Sequence, residues 1–388
     1  MRVLMIGSEP RHGLMFHPTR LAIALRSCGC EVTVASLPGR AFSPDLPASL
    51  AAAGIPLLES PDLALHGRAA LISRNRSLRR IVASERPDVL HCFGPVTAFQ
   101  AAPPWISGRP RVVAMIEGMG HDLTGLRAQV GSRLGAVMLN CAADSVLSIC
   151  ELERRRLIAT GVSRRRLDVV FNPIDCDELL RRAGCAIDSR RLVLTELGLP
   201  EDTFLIGCFA HHQVRKRHDL VISAFDSLAS RYPNVALVCA GGNSPTASAI
   251  AACRRAERTG RLRMLGMLDS AVVYRYINAC DCVMHLSNAE TFGFSLIEPL
   301  VLGKPLVAAC VGVGYELEAA GVADIIPPDD GAAATAALAR VHRRASSETA
   351  EERSARGARA AAFARSQFDV GAVARRLFSL YSRLLRGT

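Results

Sequence analysis

The residues best placed to do chemistry lie in Ser287–Ala309, SNAETFGFSLIEPLVLGKPLVAA, where Glu290 and Glu298 flank an aromatic and glycine turn. The apolar run DCVMHL predicts a strand ending near Leu286, and a helix capped by Ser295 should run through Leu302. Backbone N–H groups around Gly293 and Phe294 would then project from the positive end of that helix, a seat for phosphate. Spacing alone leaves both acids with plain alternatives. Ser295-x-x-Glu298 is a capping-box spacing, and Glu290, in a loop, reads by default as a solvated acid.

The elements that would hold these residues follow from hydrophobic patterning. Strand-length apolar runs alternate with amphipathic helix-length stretches along the chain: RVLMI, EVTVAS, IPLLE, DVLHCF, RVVAMI, SVLSI and LDVVF in the first half. FLIGCFA, VALVCAG, RLRMLG, DCVMHL, PLVAAC and ADIIP follow in the second. Such βα repetition predicts an α/β fold of doubly wound parallel sheets. Turn residues at Asn172-Pro173-Ile174-Asp175 mark a boundary, giving Rossmann-like domains over 1–172 and 173–368. In the tail, predicted helical from about Ser346, Val370, Val373, Leu377, Leu380 and Leu384 recur at three or four residues, so one face should dock on a core.

Composition agrees. The 388 residues are 49% hydrophobic but only 5% aromatic, a palette of parallel strands covered by helices. A formal charge of +11 favours phosphate-rich partners, although lysine occurs only at Lys216 and Lys304 and the rest is arginine. The 13 cysteines form no CxxC pair and no His/Cys ligand spacing, so the expectation is reduced thiols, no metal site and a cytoplasmic protein. Neither a leader-like N-terminus nor a membrane-spanning apolar run is present in the sequence, and no nucleic-acid-binding signature is found. The first loop, Gly7 to Gly13, is not GxGxxG, which argues against a dinucleotide-dependent dehydrogenase.

Glu290-Thr-Phe-Gly-Phe-Ser-Leu-Ile-Glu298-Pro, followed by Gly303-Lys304-Pro305, resembles the E-x7-E region of retaining GT-B glycosyltransferases, the group that includes sucrose-phosphate synthases and bacterial mannosyltransferases. Further segments resemble the same family: Arg86-Pro87-Asp88-Val89-Leu90-His91, Ala143-Asp144, Val169 through Asp175, Gly312-Val313-Gly314-Tyr315-Glu316 and the helix Phe368–Leu385. The resemblance covers essentially the whole chain. It implies two Rossmann-like domains facing a central cleft, an acceptor-binding first domain with the last helix (about 369–388) packed back on it, and a donor-binding second domain.

It also implies site roles. Glu298 would accept both ribose hydroxyls of a UDP- or GDP-sugar, Glu290 would bind donor-sugar hydroxyls, and Phe292-Gly293-Phe294 would present amides to the phosphates. Departing diphosphate would be met without metal or other cofactor by a cationic pair from Phe209–Arg217, FAHHQVRKR. Lys216 holds the family's lysine position, whereas His211 stands where an arginine is usual, so Arg215, Arg217 or His211 itself must complete the pair. Glu117 replaces a histidine often found near the anomeric centre, with His121 as a candidate substitute, and Gly13 is the close-approach glycine of the first loop.

The expected reaction is retaining hexosyl transfer to a glycan, lipid-linked or small-molecule acceptor in cell-surface polysaccharide, glycolipid or secondary-metabolite glycoside synthesis. Arg68, Arg74, Arg76, Arg79, Arg80, Arg127 and Arg133 suggest an anionic membrane surface as a further partner, with the protein peripheral on its inner face. A non-catalytic GT-B subunit, supported by the departures at His211 and Glu117, and a sugar-nucleotide epimerase are the alternatives.

Overall fold

The computed structural model describes residues 1–7, 17–36, 45–59, 68–105, 108–118, 126–242 and 261–387. They divide into two units, Met1–Ile174 with Phe368–Thr388, and Asp175–Gln367. Unit 1 takes back the end of the chain through backbone bonds: Ile174 N–H donates to Phe368 O at 2.8 Å and Val370 N–H to Ile174 O at 2.9 Å. The rings of Phe171 and Phe368 pack 4.9 Å apart at the same place.

Unit 1 holds seven parallel strands: β1 (Arg2–Ile6), β2 (Glu31–Ser36), β3 (Leu57–Glu59), β4 (Val89–Phe93), β5 (Arg111–Ile116), β6 (Ser145–Ser148) and β7 (Leu167–Val169). Their order is β3-β2-β1-β4-β5-β6-β7. Strands as apolar as VLHCF need cover on both faces, and Leu4, Leu90, Val112 and Val146 pack with Leu78, Ala98 and Leu139 from the helices. The last helix, Val370–Arg386, buries Val373, Leu377 and Leu380 and packs on helix His17–Ser27. Val370 and Leu384, expected on the same face, are only partly buried.

Unit 2 holds six: β8 (Phe204–Phe209), β9 (Val235–Ala240), β10 (Leu262–Met264), β11 (Cys282–His285), β12 (Leu306–Ala309) and β13 (Asp324–Ile326), in the order β10-β9-β8-β11-β12-β13. Both sheets are parallel throughout, and each reverses its winding once, between β1 and β4 and between β8 and β11. Ligands of open α/β sheets bind beyond the carboxyl ends of strands at such a reversal. In unit 2 those ends feed the two segments singled out in the sequence, one after β8 and one after β11.

Helix Gly331–Ser347 begins well before the Ser346 start read for the tail, and the helical run is interrupted at Glu348 and Thr349 before helix Ala350–Phe368. There Glu352 N–H donates to Thr349 Oγ1 at 3.2 Å and Thr349 N–H to Glu352 Oε2 at 2.9 Å, a true capping box.

Candidate active site

Beyond β11 the chain turns through Ser287–Phe292 into helix Phe294–Val301. Glu290 is folded under this turn, its side chain 9% exposed, so the solvated acid read from the loop is a buried one. Oε1 of Glu290 accepts from Lys216 Nζ at 2.5 Å and His285 Nε2 at 2.8 Å, and Oε2 accepts from Arg215 Nη1 at 3.3 Å. Arg215 also donates to Ala289 O and to Gln213 Oε1, each at 2.9 Å. Asn288 N–H donates to Arg215 O at 2.8 Å, stitching the turn after β11 to the 3-10 turn Val214–Lys216 after β8. Residues 74 and 75 positions apart are thereby fixed in one cluster.

Burial would push the Glu290 carboxyl up, but the His285 hydrogen bond and the Lys216 charge outweigh it and hold the group well below the usual carboxylate range. The acid is therefore ionised at neutral pH and compensates two cations that would otherwise repel each other.

The turn rests on Gly312, whose φ of +53° suits glycine and whose Cβ, were it present, would lie 2.1 Å from Phe292 O. Val313 N–H donates to that same carbonyl at 2.9 Å. The GVG loop after β12 is thus the floor of the Glu290 turn.

The capping box expected at Ser295 does not form. Gly293, at φ 95°, is the N-cap, with no side-chain cap bond. Ser295 is consequently already inside the helix, and its hydroxyl pairs with His285 Nδ1 at 3.2 Å. Glu298 is released from capping and lies in the middle of the helix, half-buried, with Tyr274 Oη donating to its Oε1 at 3.5 Å. Burial, only partly opposed by Tyr274, pushes its carboxyl up to about 7. Phe292 is buried, its ring 5.0 Å from that of half-buried Phe294, so the pair shapes the helix start as well as offering backbone there.

Of the other expected residues, His211 is exposed and its Nδ1 accepts from Gly242 N–H at 3.2 Å, which places the proton of the neutral ring on Nε2. No bond ties it to Glu290 among the described residues. Arg217 turns away from the cluster, pairing with Asp219 at 2.9 Å and with Asp329, which leaves Arg215 as Lys216's companion at Glu290. Glu117, in unit 1, follows β5 directly. It is half-buried, burial pushes its carboxyl up to about 7, and its Oε1 has no hydrogen-bond partner among the described residues. Gly13 and His121 lie outside the described residues.

The family model for "Glycosyl transferases group 1" matches residues 190–360, spanning β8 to β13 with the whole Glu290 cluster, and that for "Glycosyltransferase Family 4" matches residues 13–178. The chain belongs to the group 1 glycosyltransferases. A D-inositol 3-phosphate glycosyltransferase of Mycobacterium tuberculosis is 32% identical over 181 residues, 44% of this chain, which spans 35% of that relative's length. Solved structures share the two-domain GT-B fold at low identity. A glycosyltransferase from Rickettsia africae superposes with a TM-score of 0.79 at 13% identity, covering 100% of this chain and 99% of that one. Anabaena HepE in complex with UDP-glucose gives 0.72 at 18% identity, covering 98% and 99%. Sucrose-phosphate synthase from Thermosynechococcus elongatus gives 0.71 at 17%, covering 100% of both.

For this group 1 glycosyltransferase, sequence reasoning missed His285, Ser295 as its partner, and Tyr274. His285 had a legible signal: it is the polar last residue of the otherwise apolar strand CVMH, at the carboxyl end where sites form. Tyr274 had none, because only packing of helix Ser270–Ala279 beside helix Phe294–Val301 brings it to Glu298.

Proposed function

We propose that the protein is a retaining glycosyltransferase that moves a hexose-type sugar from a nucleoside-diphosphate donor to an acceptor hydroxyl. The observation that carries this reading is the buried, ionised Glu290 holding Lys216 and Arg215 at the entrance to a helix N-terminus, with Glu298 just over one turn into the same helix. Unit 2 binds the donor. Glu298 accepts the ribose hydroxyls, Glu290 orients the sugar, and Lys216, Arg215 and the first-turn amides receive the charge that develops on the departing diphosphate. His211 supplies an Nε2–H donor at the place where the resembled family usually has an arginine. A preformed cationic cluster of this kind needs no reorganisation as charge appears, and no protein nucleophile is invoked.

Unit 1 serves the acceptor, with Glu117 at the end of β5 as its first candidate. The E-x7-E spacing supports retention, and the UDP-glucose bound by Anabaena HepE makes a UDP-sugar the first donor to try over a GDP-sugar. A glycan or lipid-linked acceptor fits a protein peripheral to the cytoplasmic face of a membrane. In support, helix Leu126–Ala142 contains no acidic residue and exposes Val130, Leu134 and Val137, each more than half, beside exposed Arg133. No described helix is long and apolar enough to cross a membrane.

The test is thermal stability against a panel of nucleoside diphosphates and their sugars, in wild type and Glu298→Ala. A ligand at a hundred times its dissociation constant adds about 2.7 kcal/mol. The reading expects a shift with one base that the variant loses. No shift with any nucleotide would favour a non-catalytic subunit, and a nucleotide-sugar product formed without acceptor would favour an epimerase.

A further inference from the structure

Unit 1 contains a cavity of about 820 Å³ that the glycosyltransferase reading does not use. It lies at the amino ends of adjacent strands: Arg2 opens β1, Asp88 precedes β4, Arg111 opens β5 and Asp144 precedes β6. Glu117 is at the other end of β5, a strand of six residues and therefore about 20 Å long. The cavity and the acceptor candidate thus face opposite edges of the sheet.

Five arginines, Arg2, Arg79, Arg86, Arg109 and Arg111, line it against two aspartates. Both aspartates are already engaged. Asp88 accepts from Arg2 N–H at 2.7 Å, and Asp144 accepts from Val112 N–H at 2.8 Å and from Arg109 at 3.1 Å. Arg109 further donates to Ala142 O at 2.9 Å, so it closes the end of helix Leu126–Ala142. Arg2 and Arg111 stand looser, 3.9 and 3.5 Å from their carboxylates.

Arg79 and Arg86 are different. Among the described residues neither guanidinium has a hydrogen-bond or ion-pair partner, yet both face the same cavity. Arg86 also holds a left-handed backbone, φ 44°, at the end of helix Arg68–Glu85, where glycine is the usual solution. Arg86 N–H closes the helix end on Val82 O at 3.0 Å, and both side chains are exposed, so their guanidinium groups are open to a ligand from solvent. The remaining wall is apolar, formed by Val82, Ala101, Pro110 and Leu385 of the last helix.

We propose that this cavity is a second anion-binding site, taking a phosphate-bearing ligand with an apolar portion on Arg79 and Arg86, with Arg2 and Arg111 as further donors. Guanidinium groups present paired N–H donors that match phosphate oxygens, and the apolar wall accommodates a hydrocarbon or ring attached to the phosphate. The phosphate could come from a soluble phosphomonoester or from a lipid head group, which share this chemistry.

The test is calorimetric titration of the full chain with glycerol 3-phosphate and with dihexanoyl phosphatidate below its critical micelle concentration. Two double variants accompany wild type. Arg79→Gln/Arg86→Gly removes both unpaired cations while keeping helix propensity at one position and relaxing the backbone at the other. Arg76→Gln/Arg80→Gln removes the same charge from exposed positions of the same helix outside the cavity. The expected result is binding of at least one probe, weakened tenfold or more by the first pair and less than threefold by the second; which probe binds identifies the source of the phosphate. Phosphate held at the Glu290 cluster would persist in both variants, so the difference reads the cavity alone. Failure of both probes to bind, unchanged affinity in the first variant, or equal loss in both would overturn the proposal. None of these outcomes depends on whether the protein transfers a sugar.

Discussion

Thr349-x-x-Glu352 and Ser295-x-x-Glu298 carry the same spacing at the start of a helix and do opposite things. At the first, hydroxyl and carboxylate close reciprocally on backbone N–H groups, and the pair is spent on the helix end. At the second, the left-handed Gly293 takes the N-cap, which shifts Ser295 and Glu298 into the helix and frees both side chains. Ser295 then supports His285, which supports Glu290, while Glu298 meets Tyr274. One glycine separates a structural device from a site, and the difference was decided by what each helix start packs against.

The largest way to test this contrast is at Glu290, the acid that the Ser295–His285 pair supports. Glu290→Gln keeps the size but leaves Lys216 and Arg215 uncompensated, and turnover should fall about 10²–10³-fold, the scale of losing a preorganised electrostatic group. Glu352→Gln should leave steady-state turnover unchanged. A fall in both would mean that helix integrity, not the cluster, limits activity.

Next is Glu298→Gln, expected to weaken nucleotide binding by about 1.5–3 kcal/mol, the range for a hydrogen bond to a charged group. Its effect on stability should run the other way. Because burial holds the folded carboxyl near 7 against an ordinary 4.5, the folded state keeps its proton longer than the unfolded chain. Wild-type stability therefore declines as pH rises from about 4.5 through 7, whereas the Gln variant escapes that decline. Denaturant unfolding should show the variant's relative gain absent at pH 4 and complete by pH 8; a gain already present at pH 4 would point to packing instead.

A related effect is read on binding. If the ionised Glu298 accepts both ribose hydroxyls, nucleotide affinity should drop about tenfold between pH 8 and pH 6, with proton uptake by the free protein as the cause. A flat profile would place the ribose elsewhere.

The smallest effects fall on the two hydroxyls. Thr349→Ala should lower unfolding free energy by ~1 kcal/mol, as expected for a lost N-cap, with unaltered kinetics. Ser295→Ala should show a few-fold loss in kcat and little loss of stability. The reverse assignment of these two outcomes would erase the contrast.

The described strands match the thirteen apolar runs read from the sequence, because strands covered on both faces must be apolar along their length and helices between them must not be. Glu290, Lys216 and Arg215 are legible in the sequence only through the resemblance of their segments to a family, because on spacing alone a loop acid or cation reads as solvated. The surprises were the burial of Glu290 and the freeing of Glu298, neither of which leaves a local trace. Arg217 shows the same limit: its neighbour Lys216 enters the cluster while it leaves for Asp219 and Asp329, a choice made by the left-handed backbone at Arg217 itself, φ 49°.

Sequence by itself determined the alternation of elements, the parallel sheets, and the short segments from which a site could be made, because periodicity and turn chemistry act over a few residues. Tertiary structure decided which of those residues meet. Lys216 and Glu290 are 74 positions apart, and their pairing, the ionisation of one acid and the raised pKa of the other arise only when β8 and β11 lie side by side and water is excluded from the turn above them.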